Sequence, residues 1–358
     1  MKAKRILLIG PFPDPISGVS LANKVVKELL DNSKEYKTQV INSSFPTFNE
    51  NIGNFSVKKA IFFIKINLSL YKVFNNAIVY ITPGQTFFGI IKYAPFILLG
   101  SLLNKKMIIH IHGNYLLTQY QQLKGIKKRV FSFLIKRFEK GIVLSKSLRK
   151  NLTPFLKSEN IFELPNFAEK FLYDSTNKKV SSELRIVYLS NIMKEKGIMI
   201  LLESLLELQK KKIEFQVKIA GNIDEQEREK FYKMIKQVHN CEYLGVVKGA
   251  EKKSLLNWST IFVLPTFYKM EGQPISILEA MATKNVIITT NHAGIKDIVK
   301  NKKNGFVVKK NNVKEVTKSL MFLSKKKERI IEIASHNHEY FLNKFTIDKF
   351  NSNLLSIL

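Results

Sequence analysis

Two glutamates eight positions apart, Glu271 and Glu279, bracket the start of an apolar run in the segment Ile261-Phe262-Val263-Leu264-Pro265-Thr266-Phe267-Tyr268-Lys269-Met270-Glu271-Gly272-Gln273-Pro274-Ile275-Ser276-Ile277-Leu278-Glu279-Ala280-Met281-Ala282. Ionised carboxylates accept hydrogen bonds without donating, which suits the hydroxyls of a ribose or hexose. The segment reads as strand, loop and helix. Gly272, Gln273, Pro274 and Ile275 fall at the helix start. There the free N–H groups and the positive end of the helix dipole make an anion site of the kind that holds phosphate. Gly272 lets backbone pass close to a ligand, and Pro274 suits the first helical turn, where its missing N–H costs nothing. Ile275, Leu278 and Ala282 are expected on one side of this helix. A bare pair of glutamates at this spacing would recur by chance on many helices; its setting gives it weight.

The rest of the chain supplies elements that can position such a site. Short β-branched runs alternate with helix-length amphipathic segments. Lys4–Gly10 reads as a strand and Gly18–Leu30 as a helix, followed by strands at Val40-Ile41, Ala77–Ile81, Met107–Ile111 and Gly141–Leu144. The pattern resumes at Leu184–Leu189, Phe215–Ala220, Tyr243-Leu244, Ile261–Leu264 and Val286–Thr289. Strands separated by helices imply parallel sheets built from right-handed crossovers. The polar, aperiodic stretch 174–182 marks a linker. The expected organisation is a first Rossmann-like domain over 1–170, a linker at 171–183 and a second such domain over 184–340. A C-terminal segment, 341–358, could pack back on the first domain. Two doubly wound domains facing each other leave a cleft, and ligands of such sheets bind outside the carboxyl ends of the strands.

Composition narrows the classes. Of 358 residues, 45% are apolar and 24% charged, the balance of a folded globular chain. One cysteine, Cys241, excludes an internal disulfide framework, and with six histidines it cannot build a zinc array. The positive start Met1-Lys2-Ala3-Lys4-Arg5 precedes an apolar run too short for a signal core. The longest apolar stretch, Phe87 to Leu103, is interrupted by Lys92 and Pro95 and is expected as a buried helix. The formal charge is +29, and residues 51–150 hold 17 basic side chains against a single acid, Glu139. Such a field draws polyanions: nucleic acid, an anionic membrane or phosphorylated small molecules.

With these residues in place, the segment "LPT…EGQPISILEAMA" resembles the signature of the retaining glycosyltransferases of family four, which have the GT-B fold. The resemblance extends to Leu189–Gly197, where the family holds the donor diphosphate with an Arg and, five residues on, a Lys. Lys196 occupies the Lys position, followed by Gly197. Asn191 stands at the Arg position, which removes one cation from the site. Phe215–Asn222 is similar to the next strand with its Ala-Gly end. The turn with Gly245 and Val246 is similar to the one lying along the nucleobase. His292-Ala293-Gly294 and Asn304-Gly305-Phe306 resemble the family's later glycine turns. In the first half, Gly18 matches the glycine loop after the first strand. His112, in His110-Ile111-His112-Gly113, matches the histidine that ends a strand beside the donor sugar. Ser145 and Asn166 also fit family positions.

The resemblance implies transfer of a sugar from a nucleotide-sugar donor, UDP-linked first and GDP-linked second, with retention at the anomeric carbon. His112, Lys196 and Glu271 would serve the chemistry, with Glu271 holding donor-sugar hydroxyls and Glu279 the ribose. No Asp-x-Asp occurs in the chain, so neither a catalytic metal nor another cofactor is expected. The helix start near Gly272 and the charge of Lys196 would act on the leaving diphosphate instead. Lys124, Lys127, Lys128, Arg129, Lys136 and Arg137 flank an amphipathic stretch with Ile126, Val130, Leu134 and Phe138 four apart. Val57–Phe74 is a second such stretch. Their apolar faces are expected to pack on the sheet, leaving the cations as a surface for anionic lipid. The expected acceptor is a saccharide or a polyprenyl-diphosphate-linked saccharide of bacterial surface polysaccharide assembly. The expected location is the inner face of the plasma membrane. Two other readings are a GT-B sugar-nucleotide epimerase or hydrolase, and a non-catalytic protein binding nucleic acid or membrane. No zinc finger, RNP-like motif or basic arm supports nucleic acid as a partner.

Overall fold

The computed structural model describes residues 3–14, 17–45, 57–174 and 183–358. The chain forms two compact units, Met1–Pro165 with Asn351–Leu358, and Asn166–Phe350. The expected linker at 171–183 falls inside the second of these, and 175–182 lie outside the described residues.

In the first unit β1 (Lys4–Gly10), β2 (Tyr36–Asn42), β3 (Ile78–Ile81), β4 (Lys106–Ile111), β5 (Lys140–Val143) and β6 (Ile161–Glu163) form one parallel sheet in the order β2-β1-β3-β4-β5-β6. Ile6 through Ile9 and all four residues of β3 are buried, as expected for strands covered by helices on both faces. Ile9 pairs with Ile81, and Ile81 with Ile109. The strand β6 was not expected, because three residues ending in glutamate carry too little pattern to read. Residues 351–358 join this unit. Lys106 and Lys140 donate through Nζ to the backbone oxygens of Leu358 and Ile357.

The second unit holds β7 (Leu184–Leu189), β8 (Phe215–Ala220), β9 (Cys241–Tyr243), β10 (Ile261–Leu264), β11 (Val286–Thr290) and β12 (Gly305–Val308), again all parallel, in the order β12-β11-β10-β7-β8-β9. The first strand of this unit, β7, is therefore central. It pairs with β8 on one side and with β10 on the other, Ile186 opposite Val217 and Ile261. Strand order reverses between β7 and β10, which is where sheets of this kind open a crevice at their carboxyl ends. Asn304-Gly305-Phe306, read as a turn, instead leads into β12. Gly305 has φ +145°, and a Cβ there would lie 1.8 Å from the carbonyl oxygen of Ile287, so only glycine fits.

Three helix expectations change. Phe87–Leu103 is not one helix but two, Phe87–Ile91 and Ala94–Leu102, because Pro95 lies at the start of the second and its backbone cannot continue the first. Helix Gly125–Ile135 buries Phe131, Leu134 and Ile135, while Ile126 stays 71% and Phe133 46% exposed. The i, i+3, i+4 face won over the four-residue spacing of 126, 130, 134 and 138. The helix spans only 125–135, so Phe138 is buried from beyond its end. The stretch from Val57 splits into an α-helix, Val57–Asn67, and a 3-10 helix, Leu68–Val73. Ile61, Ile64, Leu68, Tyr71 and Phe74 are exposed along it. Its apolar residues are thus not all packed on the sheet. Among the described residues no helix is long and apolar enough to cross a membrane.

Candidate active site

The loops that leave β7 and β10 sit side by side because those strands are hydrogen-bonded neighbours. After β7 the chain turns through the 3-10 segment Lys194–Lys196 and reaches Gly197 at φ +82°, a left-handed position that caps the turn and opens helix Ile198–Lys210. A Cβ on Gly197 would meet the Pro265 carbonyl oxygen at 2.5 Å, so the loops after β7 and β10 touch through backbone. The N–H of Phe267 donates to the Glu195 carbonyl at 2.7 Å. This sets Lys196 beside Glu271, 75 residues away in sequence. Its Nζ donates to Oε1 at 3.0 Å and to Oε2 at 2.8 Å.

Glu271 is buried and fully engaged. Oε2 also accepts from the Thr266 hydroxyl at 2.9 Å, and Lys196 Nζ lies 5.2 Å from the centre of the Tyr268 ring. Burial, with the carboxylates of Glu271 and Glu195 adding to it, pushes the Tyr268 phenol up to about 12. The loop is braced from β11. His292 Nε2 lies 2.7 Å from the Tyr268 carbonyl oxygen, and the Gly294 N–H donates to Gly272 O at 2.9 Å. Burial lowers the His292 pKa, so its ring is neutral near pH 7 and its Nε2–H can donate to that carbonyl.

Helix Ile275–Ala282 follows. Pro274 is its N-cap in extended conformation, φ −61° and ψ 121°, rather than a residue of the first turn. Ile277 through Ala282 are all buried, so the helix is enclosed on every side instead of along one stripe. That enclosure is why Glu279 is buried. The N–H groups of Ile275 and Ser276 have no carbonyl partner one turn back, as at any helix start. Gln273 makes a different contact from the expected one. Its side-chain Oε1 accepts from the Asn166 N–H at 2.6 Å and its carbonyl accepts from Asn166 Nδ2 at 2.8 Å, tying the start of the unit to the loop.

Glu279 has a partner that sequence reading missed. Lys252, on helix Gly249–Trp258, places Nζ 2.5 Å from Glu279 Oε1 and 3.0 Å from Glu169 Oε2. Burial alone would lower the Lys252 pKa, but the carboxylates of Glu279 and Glu169 outweigh it and the pKa is raised. Lys252 is cationic at every physiological pH. Glu169 lies 83 residues and Glu279 27 residues from Lys252. The only signal in the sequence was a lysine at 252 one helical turn before the buried Leu256.

The remaining residues fall in three places. Asn191, past the end of β7, is exposed, and its carbonyl accepts from the Tyr188 hydroxyl at 3.0 Å. Gly245 has φ +69° with open space where a Cβ would be, and Val246 beside it is exposed. In the first unit Gly18 is the first residue of helix Gly18–Asn32, which Ser17 and Ser20 close with a capping box. His112 follows β4. Its ring lies 3.9 Å from that of His110, whose Nδ1 is 2.5 Å from the Tyr80 hydroxyl. Burial holds the His112 pKa down at about 3, and burial with the neighbouring His112 holds His110 well below its ordinary value. Both rings are neutral, and neither Nε2 has a hydrogen-bond partner among the described residues. Ser145 is buried with its Oγ also unpartnered among them. Of the six cations on or beside helix Gly125–Ile135, all are exposed except Lys128, which lies over the Tyr120 ring at 4.8 Å; Arg137 lies over Phe133 at 4.2 Å.

A cation and a carboxylate at the crevice of a parallel sheet, a helix start behind them and a second carboxylate one turn further in make a site for a phosphorylated ligand carrying hydroxyls. The family described as Glycosyl transferases group 1 matches residues 170–336, which hold Lys196, Lys252, Glu271 and Glu279. An uncharacterized glycosyltransferase of Methanocaldococcus jannaschii is 24% identical over 260 residues, 70% of this chain and 68% of that protein. The capsular polysaccharide biosynthesis glycosyltransferase CapM of Staphylococcus aureus is 28% identical over 222 residues, and the chain spans little more than half of CapM's length, 57%. The crystal structure of Anabaena Alr3699/HepE in complex with UDP shares the fold, with a TM-score of 0.74 at 14% identity over 98% of each chain. Residues 170–336 are thus similar to the group 1 glycosyltransferases, and the two parallel-sheet units are the Rossmann-like domains of the GT-B fold.

Proposed function

We propose that the chain transfers a hexose or N-acetylhexosamine from a UDP-sugar to a saccharide or polyprenyl-diphosphate-linked acceptor, with retention and without a metal. The observation that carries this reading is the Lys196–Glu271 pair at the reversal between β7 and β10, with Glu279 on the helix that follows. Lys196 meets the leaving diphosphate, whose charge competes with Glu271 for the ammonium. Glu271 then accepts from donor-sugar hydroxyls, and Glu279 from the ribose. Gly245 and Val246 offer an open edge to the base, and His112 offers the donor sugar a neutral hydrogen-bonding group. The bond from the anomeric carbon to the β-phosphate oxygen breaks, and the acceptor oxygen bonds to that carbon from the same face. The acceptor's proton passes to the departing phosphate. UDP as the nucleotude and capsule-type polysaccharide as the product class are supported by the names of HepE's ligand and of CapM.

Release of UDP from a panel of UDP-sugars, with and without saccharide acceptors, tests this reading. Acceptor-dependent release supports a transferase. Turnover without acceptor would point to the epimerase or hydrolase instead, and activity lost in EDTA and restored by Mn²⁺ would overturn the metal-free route.

The acceptor side is read from the surface. Exposed Ile126 and Phe133 stand among Lys124, Lys127, Arg129, Lys136 and Arg137, and a second exposed apolar row runs from Ile61 to Phe74. Apolar residues beside cations suit an anionic bilayer, each cation contributing about 1 kcal/mol near the surface. We place the protein at the inner membrane face on this ground. Neutralising Lys127, Lys128 and Arg129 together should release it from anionic vesicles in co-sedimentation at low salt. A wild type that never binds such vesicles would mean a soluble acceptor.

A further inference from the structure

We propose that Lys252 is a positioning residue for ribose recognition, which holds one oxygen of Glu279 so that the other is presented to the ribose hydroxyls. The inference rests on the donor reading above and deepens it.

The two glutamates differ in what is left over. Glu271 has both oxygens bound, Oε1 by Lys196 and Oε2 by Lys196 and Thr266. Glu279 gives only Oε1 to Lys252, and its Oε2 has no donor among the described residues. Neither atom is lost to solvent by exposure, since the side chain of Glu279 is 5% and that of Lys252 12% accessible. A carboxylate enclosed to this degree needs a hydrogen-bonding partner to hold it in place. Lys252 is that partner for Oε1, and its ammonium is held by a second contact, to Glu169.

The residue type is informative here. Lys252 stands four positions before Leu256, which is fully buried, so it occupies the inward face of helix Gly249–Trp258. An apolar side chain would serve packing there at least as well, because a buried ion pair is a poor source of stability compared with well-packed hydrophobic residues. What an apolar residue cannot do is hold one oxygen of Glu279 and so aim the other. Glu169 lies beside the 3-10 turn Lys170–Leu172, and the ring of Phe171 from that turn is 5.8 Å from Lys252 Nζ.

Binding of UDP and of 2′,3′-dideoxy-UDP to the full chain, measured by calorimetry, tests this. The wild type should prefer UDP by ~10-fold or more, the scale of one charged hydrogen bond. In Lys252→Met the preference should fall below about 2-fold while affinity for the dideoxy analogue stays near the wild-type value, and Lys252→Arg should restore the preference. Because Lys252→Met leaves two carboxylates facing each other, Lys252→Met with Glu169→Gln serves as the second variant. It removes one of those charges, and its preference should be equally lost. Variants that keep the wild-type preference, or that lose both ligands in parallel, would overturn the proposal, the latter because it marks a purely structural role. A wild type that binds UDP without regard to the ribose hydroxyls would overturn it too while sparing the donor reading. A wild type that binds no UDP would sink the donor reading itself.

Discussion

At the end of β4, the neutral rings of His110 and His112 lie 3.9 Å apart with their planes tilted by 38°, each with an Nε2 that no described residue bonds. At the ends of β7 and β10, Lys196 and Glu271 form a buried pair with every carboxylate oxygen engaged. Each unit has its own parallel six-stranded sheet, yet the two sets of strand ends are built on opposite electrostatics. Burial at β4 is left uncompensated and strips charge from the imidazoles. At β7 and β10 the enclosed groups are an ammonium and a carboxylate that hydrogen-bond each other. A group that must meet an anion needs its charge kept, whereas one that meets hydroxyls can be neutral.

The sharpest way to break this comparison is to remove Lys196. Lys196→Ala should lower kcat about 10²–10³-fold, the effect of losing one preorganised group at a developing charge. Nucleoside affinity should hardly change. If UDP release rates stay within a few-fold of wild type, Lys196 does not meet the leaving group.

The two carboxylates can then be told apart. Glu279→Ala should weaken UDP binding by about 10–150-fold, corresponding to roughly 1.5–3 kcal/mol for a hydrogen bond to a charged group. Glu271→Ala should spare binding of UDP and depress turnover of the UDP-sugar. Equal effects on bare-nucleotide affinity in calorimetry would erase the distinction between them.

The imidazoles are tested through stability. The His112 pKa is near 3 in the folded protein against about 6.5 when unfolded. Between those values the unfolded chain binds the proton and the folded one does not, so acidification favours unfolding. Stability should fall as pH drops below about 6.5, by up to about 1.4 kcal/mol per pH unit for each such histidine. Urea unfolding at pH 7 and pH 5 should show a smaller difference for His112→Gln than for wild type. An unchanged difference would mean that the ring is already protonated or solvated.

The smallest expected effect concerns charge that is absent. Asn191→Arg, at the exposed position past β7, should tighten UDP relative to uridine by a few-fold, since an exposed pair contributes about 0.2–1 kcal/mol. No change in that ratio would mean that position 191 does not reach the diphosphate.

Much of this architecture could be read before any coordinates. The runs Leu184–Leu189, Phe215–Ala220 and Ile261–Leu264 are strands at the expected bounds, because continuous β-branched runs between helix-length segments admit few other conformations. Glu271 and Glu279 were legible for the same local reason: strand, loop and helix occupy one stretch of chain. β6 and β12 were not, being three and four residues long with a glutamate or glycine among them.

Local sequence therefore determined the elements, the alternation that makes both sheets parallel, and the identity of the two carboxylates. Only the tertiary structure decided what those carboxylates touch. Lys196 reaches Glu271 because β7 and β10 are neighbours, and that pairing depends on strand order rather than on either segment. Lys252 and Glu169 come to Glu279 from 27 and 110 positions away, a juxtaposition without any local periodicity to announce it. The same holds for helix Gly125–Ile135, where two overlapping apolar spacings coexist and packing against its neighbours chose one, leaving Ile126 and Phe133 outside. Periodicity reports which faces a segment can bury, whereas the partner it meets is set by contacts distant in sequence.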